Sequence, residues 1–260
     1  MNPVRGKVTR YPKWNFAFCG RYAAGVRHAL LCYDFAVPVT RGKFITFEGL
    51  DGCGKSTQMN RLADVLRGES FDVVTAREPG TTTTGEQIRN ILLNSRTTGL
   101  APMSELALMF AARAQLIKEV IEPGLAEGKF VLVDRYTDSS EAYQGGGRGL
   151  GSEAVLAVHR VICGVLDPDV TVLMDSDAAA SVARARRRNQ KAAEGGADEN
   201  RFEMENRAFF ERVHQAYLAI AKREPQRVYM VDARREQDVV HRDIVREVQR
   251  RLGLSSRTVK

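Results

Sequence analysis

The stretch KFITFEGLDGCGKSTQMNRLADVLRG (43–68) constrains the fold more than any other part of the chain. Its first residues form an apolar run that reads as a buried strand, and the residues after Gly54 carry apolar side chains at helical spacing. Between them lies G-x-x-x-x-G-K-S, from Gly49 to Ser56. Glycines at 49, 52 and 54 allow unusual backbone angles, so that backbone N–H groups can converge on one phosphate. The helix start adds the positive end of its dipole. Lys55 is placed to reach the β- and γ-phosphates, and the Ser56 hydroxyl to ligate Mg²⁺. A full motif of this kind between a strand and a helix predicts a nucleotide-binding loop made of Gly49, Leu50, Asp51, Gly52, Cys53, Gly54, Lys55, Ser56 and Thr57.

From residue 43 onward, strands alternate with helices. The β-rich runs are 44–48, 72–78, 130–136, 170–175 and 228–233, and long helical patterns cover 104–128 and 205–225. This alternation predicts an α/β fold: one five-stranded parallel sheet with helices on both faces, in three layers. Ligands of such sheets gather at the carboxyl ends of the strands. The first three strands end there at the phosphate loop, at REPG and at DRY.

The net charge of +7 suggests a polyanion partner until its distribution is considered. Residues 1–43 hold eight Lys/Arg and one acid, whereas the remainder has 31 basic and 31 acidic residues. The body is therefore neutral, and no nucleic-acid-binding face is implied. The basic leader has no serine, unlike a transit peptide, and reads as a poorly ordered extension. No apolar run approaches the ~20 residues needed to cross a membrane. The four cysteines form no CxxC pair, which points to reduced thiols in a cytoplasmic chain.

Further motifs carry charge toward the same strand ends. Asp134, at the end of VLVDRY, is placed to meet the metal beside Ser56, and Arg135 could grip a second phosphate with its planar fork. The alternative for both is a strand-end salt bridge. RARRRN supplies Arg184, Arg186, Arg187 and Arg188, which form either a solvated face or a lid that closes over a transferring phosphoryl group. Gly195-Gly196 would let such a lid move. Within the 104–128 helix, core packing explains Met109 and Phe110, but a buried Arg113 needs a partner. In AYQGGGRG the three consecutive glycines imply a tight approach or a hinge.

Taken in order, FITFEGLDGCGKSTQ, REPG, DRYTDSSEAYQGGGRG, LDPDVTVLMD and RARRRN followed by NRFE resemble thymidylate kinase, over residues 43 to 252. The resemblance implies the P-loop NTPase fold, with a nucleoside-monophosphate kinase domain at 43–254, a lid near 183–200, an extension at 1–42 and a tail at 255–260. It implies that ATP phosphorylates dTMP with Mg²⁺. Lys55, Ser56 and Thr57 would then hold ATP phosphates and metal, the latter with Asp134. Asp51 would meet the deoxyribose 3′-OH or the metal region, Arg77 and Glu78 would border the dTMP site, and Arg135 would grip its phosphate. Arg113 would face the thymine edge with Ser139, Ser140, Tyr143 and Gln144, and Tyr143 would crowd the 2′ position. Since Gly52 and Cys53 leave no arginine in the loop, the catalytic charge would come from the lid, from Arg186 and Arg188 with Arg184 next. A homodimer is expected by analogy.

Three departures from the family pattern bear on the site, one of them a segment between Arg188 and Arg201 that is longer than usual. Thr81 stands where a second glycine of REPGGT is usual. The aromatic that covers thymine usually lies four residues before the arginine, and that position is Met109, with Phe110 beside it. A GTPase-type switch is disfavoured, because no N-K-x-D guanine motif follows the loop.

Overall fold

A computed structural model describes residues 41–193 and 198–254. The basic extension up to residue 40, the Gly195-Gly196 pair and the 255–260 tail lie outside the described residues.

The five apolar runs become β1 (Lys43–Glu48), β2 (Val73–Arg77), β3 (Phe130–Asp134), β4 (Val170–Asp175) and β5 (Val228–Asp232). They form one parallel sheet in the order β2-β3-β1-β4-β5. β1 is central, and its register sets Phe47 beside Asp134 of β3 and Glu48 beside Leu173 of β4. The strands read as continuous apolar runs because both faces are covered. On one face, Ile45, Phe47, Leu132 and Val172 pack under α1 (Lys55–Gly68) and α9 (Gln237–Leu252). On the other, Phe44, Val131 and Val133 pack against α3 (Pro102–Leu116) and α6 (Ser152–Ile162). Phe44, Ile45 and Phe47 are fully buried, each contributing roughly 1.5–3 kcal/mol from its apolar surface.

The long 104–128 helix departs from its expected course. α3 passes into a π-helical turn, Ile117–Ile121, and then into α4 (Glu122–Ala126). Pro123 explains the change: it has no N–H to donate and its ring clashes with the carbonyl four residues back, so the turn before it widens. A second π-helical segment, Glu141–Gly147, follows the short α5 (Thr137–Ser140) and carries Tyr143 and Gln144. α8 (Arg207–Arg223) packs on that segment, and a Cβ at Gly147 would lie 2.5 Å from the Phe209 ring. The GGG run therefore serves a close approach.

α2 (Thr83–Leu93) begins where the Thr82 hydroxyl accepts from Gly85 N. Just before it, Thr81 adopts φ 71°, the left-handed conformation that a glycine would take freely. Local hydrogen bonds hold it there. Its hydroxyl accepts from Arg77 N at 2.9 Å and donates to Arg77 O at 3.1 Å, while its own N–H meets Glu86 Oε1 at 2.7 Å.

Candidate active site

The phosphate loop links β1 to α1, and its shape demands glycine where the chain crowds its neighbours. A Cβ on Gly49 would lie 2.6 Å from Met174 O, and one on Gly52 would lie 2.3 Å from Ser181 O. Lys55 is nearly buried and folds back over the loop, donating to Gly49 O at 3.1 Å and Leu50 O at 2.9 Å. The Cys53 thiol is buried beneath, and burial raises its pKa, so it is a packing residue rather than a nucleophile. Gly52, Cys53, Gly54 and Thr57 line one cavity with Arg184, Arg234 and Arg235.

Ser56 Oγ donates to Asp134 Oδ2 at 2.6 Å, so the first helical turn and the end of β3 present two hard oxygens side by side. Mg²⁺ suits this sparse donor set, because it keeps waters and substrate phosphate oxygens in its octahedron. Among the described residues no cluster of three His, Cys, Asp or Glu side chains offers a metal a complete protein cage.

Arg135 follows Asp134 with φ 74°, a left-handed turn that swings its side chain across the sheet end. Nη2 donates to Asp51 Oδ1 at 2.9 Å and to the Tyr143 hydroxyl at 3.3 Å, and Nη1 to Ser139 Oγ at 2.9 Å and the Tyr217 hydroxyl at 3.2 Å. The guanidinium also lies 4.9 Å from the Tyr143 ring centroid. Burial works against the charge of Asp51, but Arg135 and Lys55 outweigh it and hold the carboxyl well below its usual range. Beneath them Glu48 is fully buried and accepts from Tyr136 N at 2.7 Å and from the Ser139 and Tyr217 hydroxyls. Burial, together with the charge of Asp138, pushes Glu48 up to about 7.

A second cavity opens beside Arg135. Arg113 forms part of its wall, with Nε 2.7 Å from Glu78 Oε2 and Nη2 at 3.0 Å from both Tyr136 O and Ser140 Oγ. Arg113 Nη1 and Glu78 Oε1 are buried without a hydrogen-bond partner among the described residues. A polar ligand group beside them would relieve that cost of roughly 1–3 kcal/mol per group. Met109, Ser139, Ser140, Tyr143 and Gln144 also line the cavity.

Three expected site residues fall elsewhere. Phe110 is fully buried in the core and stacks behind Arg113, 4.4 Å from its guanidinium, so Met109 is the side chain that faces the cavity. Arg77 turns outward to pair with both Glu86 oxygens at 3.1 Å and does not line the cavity. Arg186 caps the backbone at Glu203 O, 2.8 Å away, and faces neither cavity. The arginines that do face inward are Arg184, which donates to Gly52 O at 2.8 Å, and Arg188, which lines the cavity beside Arg135. Both lie on α7 (Ala178–Ala193).

Sequence reasoning missed Glu48, Tyr217, Arg89, Glu199 and Glu203. An acid inside the apolar FITFE run was a signal for Glu48, because a buried carboxylate needs partners. Arg89 holds Glu199 through two 2.7 Å contacts and donates to Pro79 O, tying the chain after the lid to the cavity rim. Burial, then the charge of Asp51, raises Glu203 to about 7.

The family model described as thymidylate kinase matches residues 47–244, which span every element of the site just described. The chain belongs to the thymidylate kinase family. It is 44% identical to the thymidylate kinase of Pelobacter propionicus over 216 residues, covering 83% of this chain and 98% of that one. It is 47% identical to that of Pseudomonas putida over 203 residues, covering 78% and 93%. The crystal structure of thymidylate kinase from Ehrlichia chaffeensis superposes with a TM-score of 0.64 at 31% identity, covering 80% of this chain and 99% of that one. The five-stranded parallel sheet read from the alternation of strands and helices holds, and so does the P-loop NTPase fold that the family resemblance implied.

Proposed function

We infer that this chain transfers the γ-phosphoryl group of ATP to dTMP, giving dTDP and ADP. The observation that carries this reading is the pair of cavities at the phosphate loop, one lined by Gly52 and the other by its neighbour Asp51 together with Arg135. One runs from the phosphate loop toward Arg234; the other ends at the unpartnered Arg113 Nη1. ATP fits the first, its phosphates at the loop backbone and Lys55. dTMP fits the second, with its phosphate on the Arg135 fork and its thymine against Arg113, Gln144 and Met109. The Tyr143 hydroxyl donates to Asp51 Oδ2 at 3.1 Å, and its ring is set edge-on to Phe202. A ring fixed in this way makes a firm wall at the sugar and favours a 2′-deoxyribose.

Phosphoryl transfer asks the protein for placement and charge neutralisation rather than covalent chemistry. The acceptor phosphate oxygen attacks in line. Lys55, Arg184 and Arg188 balance the charge that spreads over the transferring group, and Arg135 orients the nucleophile. Ser56 and Asp134 would hold Mg²⁺, which would supply positive charge to offset that of the ATP phosphates.

No described helix is long and apolar enough to cross a membrane. Cys53 and Cys163 are free thiols. Both observations fit a cytoplasmic enzyme. Association as a homodimer is supported by Val161 and Val165, which are 85% and 97% exposed at and just beyond the end of α6 and offer apolar surface to a second copy.

The test is a coupled assay of ADP release with dTMP, dUMP, dGMP and UMP. ADP formation should depend on the acceptor, with dTMP preferred. Turnover that ignores the added monophosphate, or that is equal for dGMP, would overturn the reading.

A further inference from the structure

Glu105 is a fully buried acid in the first turn of α3, hydrogen-bonded to Gln144 of the acceptor-cavity wall, and the mechanism above gives it no role. Its carboxylate receives four donors. Gln144 Nε2 lies 2.9 Å from Oε1, Arg148 Nε 3.1 Å from the same oxygen and its Nη2 3.1 Å from Oε2, and Arg201 Nη2 2.7 Å from Oε2. A carboxylate held between two guanidiniums only accepts hydrogen bonds. Gln144, whose amide has one accepting and one donating end, must therefore turn its NH₂ toward Glu105. Its carbonyl Oε1 takes no hydrogen bond from the described residues, and Gln144 lines the cavity. Reversing the amide would set two acceptor oxygens face to face in a buried site.

We propose that Glu105 is a positioning residue for base specificity: it locks the Gln144 amide with its carbonyl facing the acceptor cavity. This rests on the reading of that cavity as the dTMP site. Arg113 and Gln144 both line the cavity, so its wall then offers a donor, the Arg113 guanidinium with its unpartnered Nη1, and an acceptor, Gln144 Oε1. A 4-oxo pyrimidine presents the matching order, an accepting O4 beside a donating N3–H. Cytosine presents the reverse, a donating N4–H₂ beside an accepting N3, and meets donor with donor and acceptor with acceptor. A free amide could rotate to serve either base; an amide fixed by a neighbour held between two guanidiniums cannot, so the penalty for the wrong base stays unrelieved.

The experiment measures kcat/KM for dTMP and for dCMP in the wild-type enzyme, in Glu105→Gln and in Arg201→Lys. Gln at 105 can donate or accept, so the Gln144 amide becomes free to turn. The dTMP-to-dCMP ratio should fall about tenfold, the factor that corresponds to ~1.4 kcal/mol, with KM for dTMP rising more than kcat falls. Arg201→Lys keeps the carboxylate and should keep the ratio, whatever it does to stability. A folded Glu105→Gln enzyme with the wild-type ratio overturns the proposal. Should that variant not fold, neutron diffraction on deuterated wild-type protein decides: two deuterons on the Gln144 atom nearest Glu105 support the lock, and a bare oxygen there overturns it. N3-methyl-dTMP separates the two layers. If the wild-type enzyme phosphorylates it as well as dTMP, the reading of the base site fails, and the proposal with it. If it is rejected while Glu105→Gln keeps its ratio, only the role of Glu105 falls.

Discussion

Arg135→Lys isolates the geometry of one side chain while keeping its charge. Arg135 spreads two arms, one toward Asp51 and Tyr143 and the other toward Ser139 and Tyr217, all within 3.3 Å. A lysine ammonium is a point charge and cannot span both sets, so one arm of the grip on the acceptor phosphate is lost. A charge-assisted hydrogen bond is worth about 1.5–3 kcal/mol, so kcat/KM for dTMP should fall roughly ten- to two-hundredfold. The arm acts in both ground and transition states, so the loss should divide between a higher KM and a lower kcat. Arg135→Ala is a poorer probe, because it also leaves Asp51 without its main counter-charge. The assay is steady-state ADP release with dTMP varied at saturating ATP, with a thermal melt to confirm folding. A folded Arg135→Lys enzyme within about threefold of wild-type kcat/KM would refute the claim that a planar fork holds the dTMP phosphate.

Other outcomes follow from the same geometry. Lys55→Ala should abolish nearly all turnover with the melt little changed, and near-normal kcat would remove the phosphate-loop assignment. Arg184→Ala and Arg188→Ala should each lower kcat, by up to on the order of 10³-fold for an arginine that neutralises the transferring group, with KM for dTMP little changed. Arg186→Ala should leave kcat close to wild type, and the opposite ranking would show that the lid arginines change places during turnover. Glu203, raised from 4.5 to about 7, favours its protonated form in the folded state. Its stabilising contribution is therefore present below about pH 4.5 and is lost as pH rises through 7. The melting temperature of Glu203→Gln should gain on wild type between pH 5 and 8, and a difference that is flat with pH would contradict the shift.

The sheet and the phosphate loop were legible in sequence because their signals are local. Apolar runs bounded by turns mark strands buried on both faces, and Gly49 and Gly52 sit where a side chain would strike neighbouring backbone. The site was legible where a charge broke such a pattern, as with Arg113 in an apolar helix or Asp134 and Arg135 at a strand end. It was not legible where partners come from afar. Tyr217 reaches Glu48 across 169 residues, and Arg201 reaches Glu105 across 96. Arg186 lies away from both cavities for a different reason. Arg184 and Arg188 are four residues apart and share a helix face, whereas Arg186 lies between them on the other side. Helical spacing alone would have separated them. Phe110 was decided by packing, since one position along the helix moves a side chain from the cavity wall into the core.

The Asp51–Arg135 pair bears on how fast the enzyme can turn over. Arg135 already has an anion at 2.9 Å before any phosphate arrives. If Arg135 holds the dTMP phosphate as proposed, binding dTMP is a swap of counter-ions, in which a phosphate displaces a tethered carboxylate. The affinity gained is only the difference between two similar attractions. When dTDP forms, Asp51 stands ready to take the guanidinium back, so product departure does not leave a naked charge behind. A site with the same fork and no resident carboxylate would hold its nucleotide more tightly and release it more slowly.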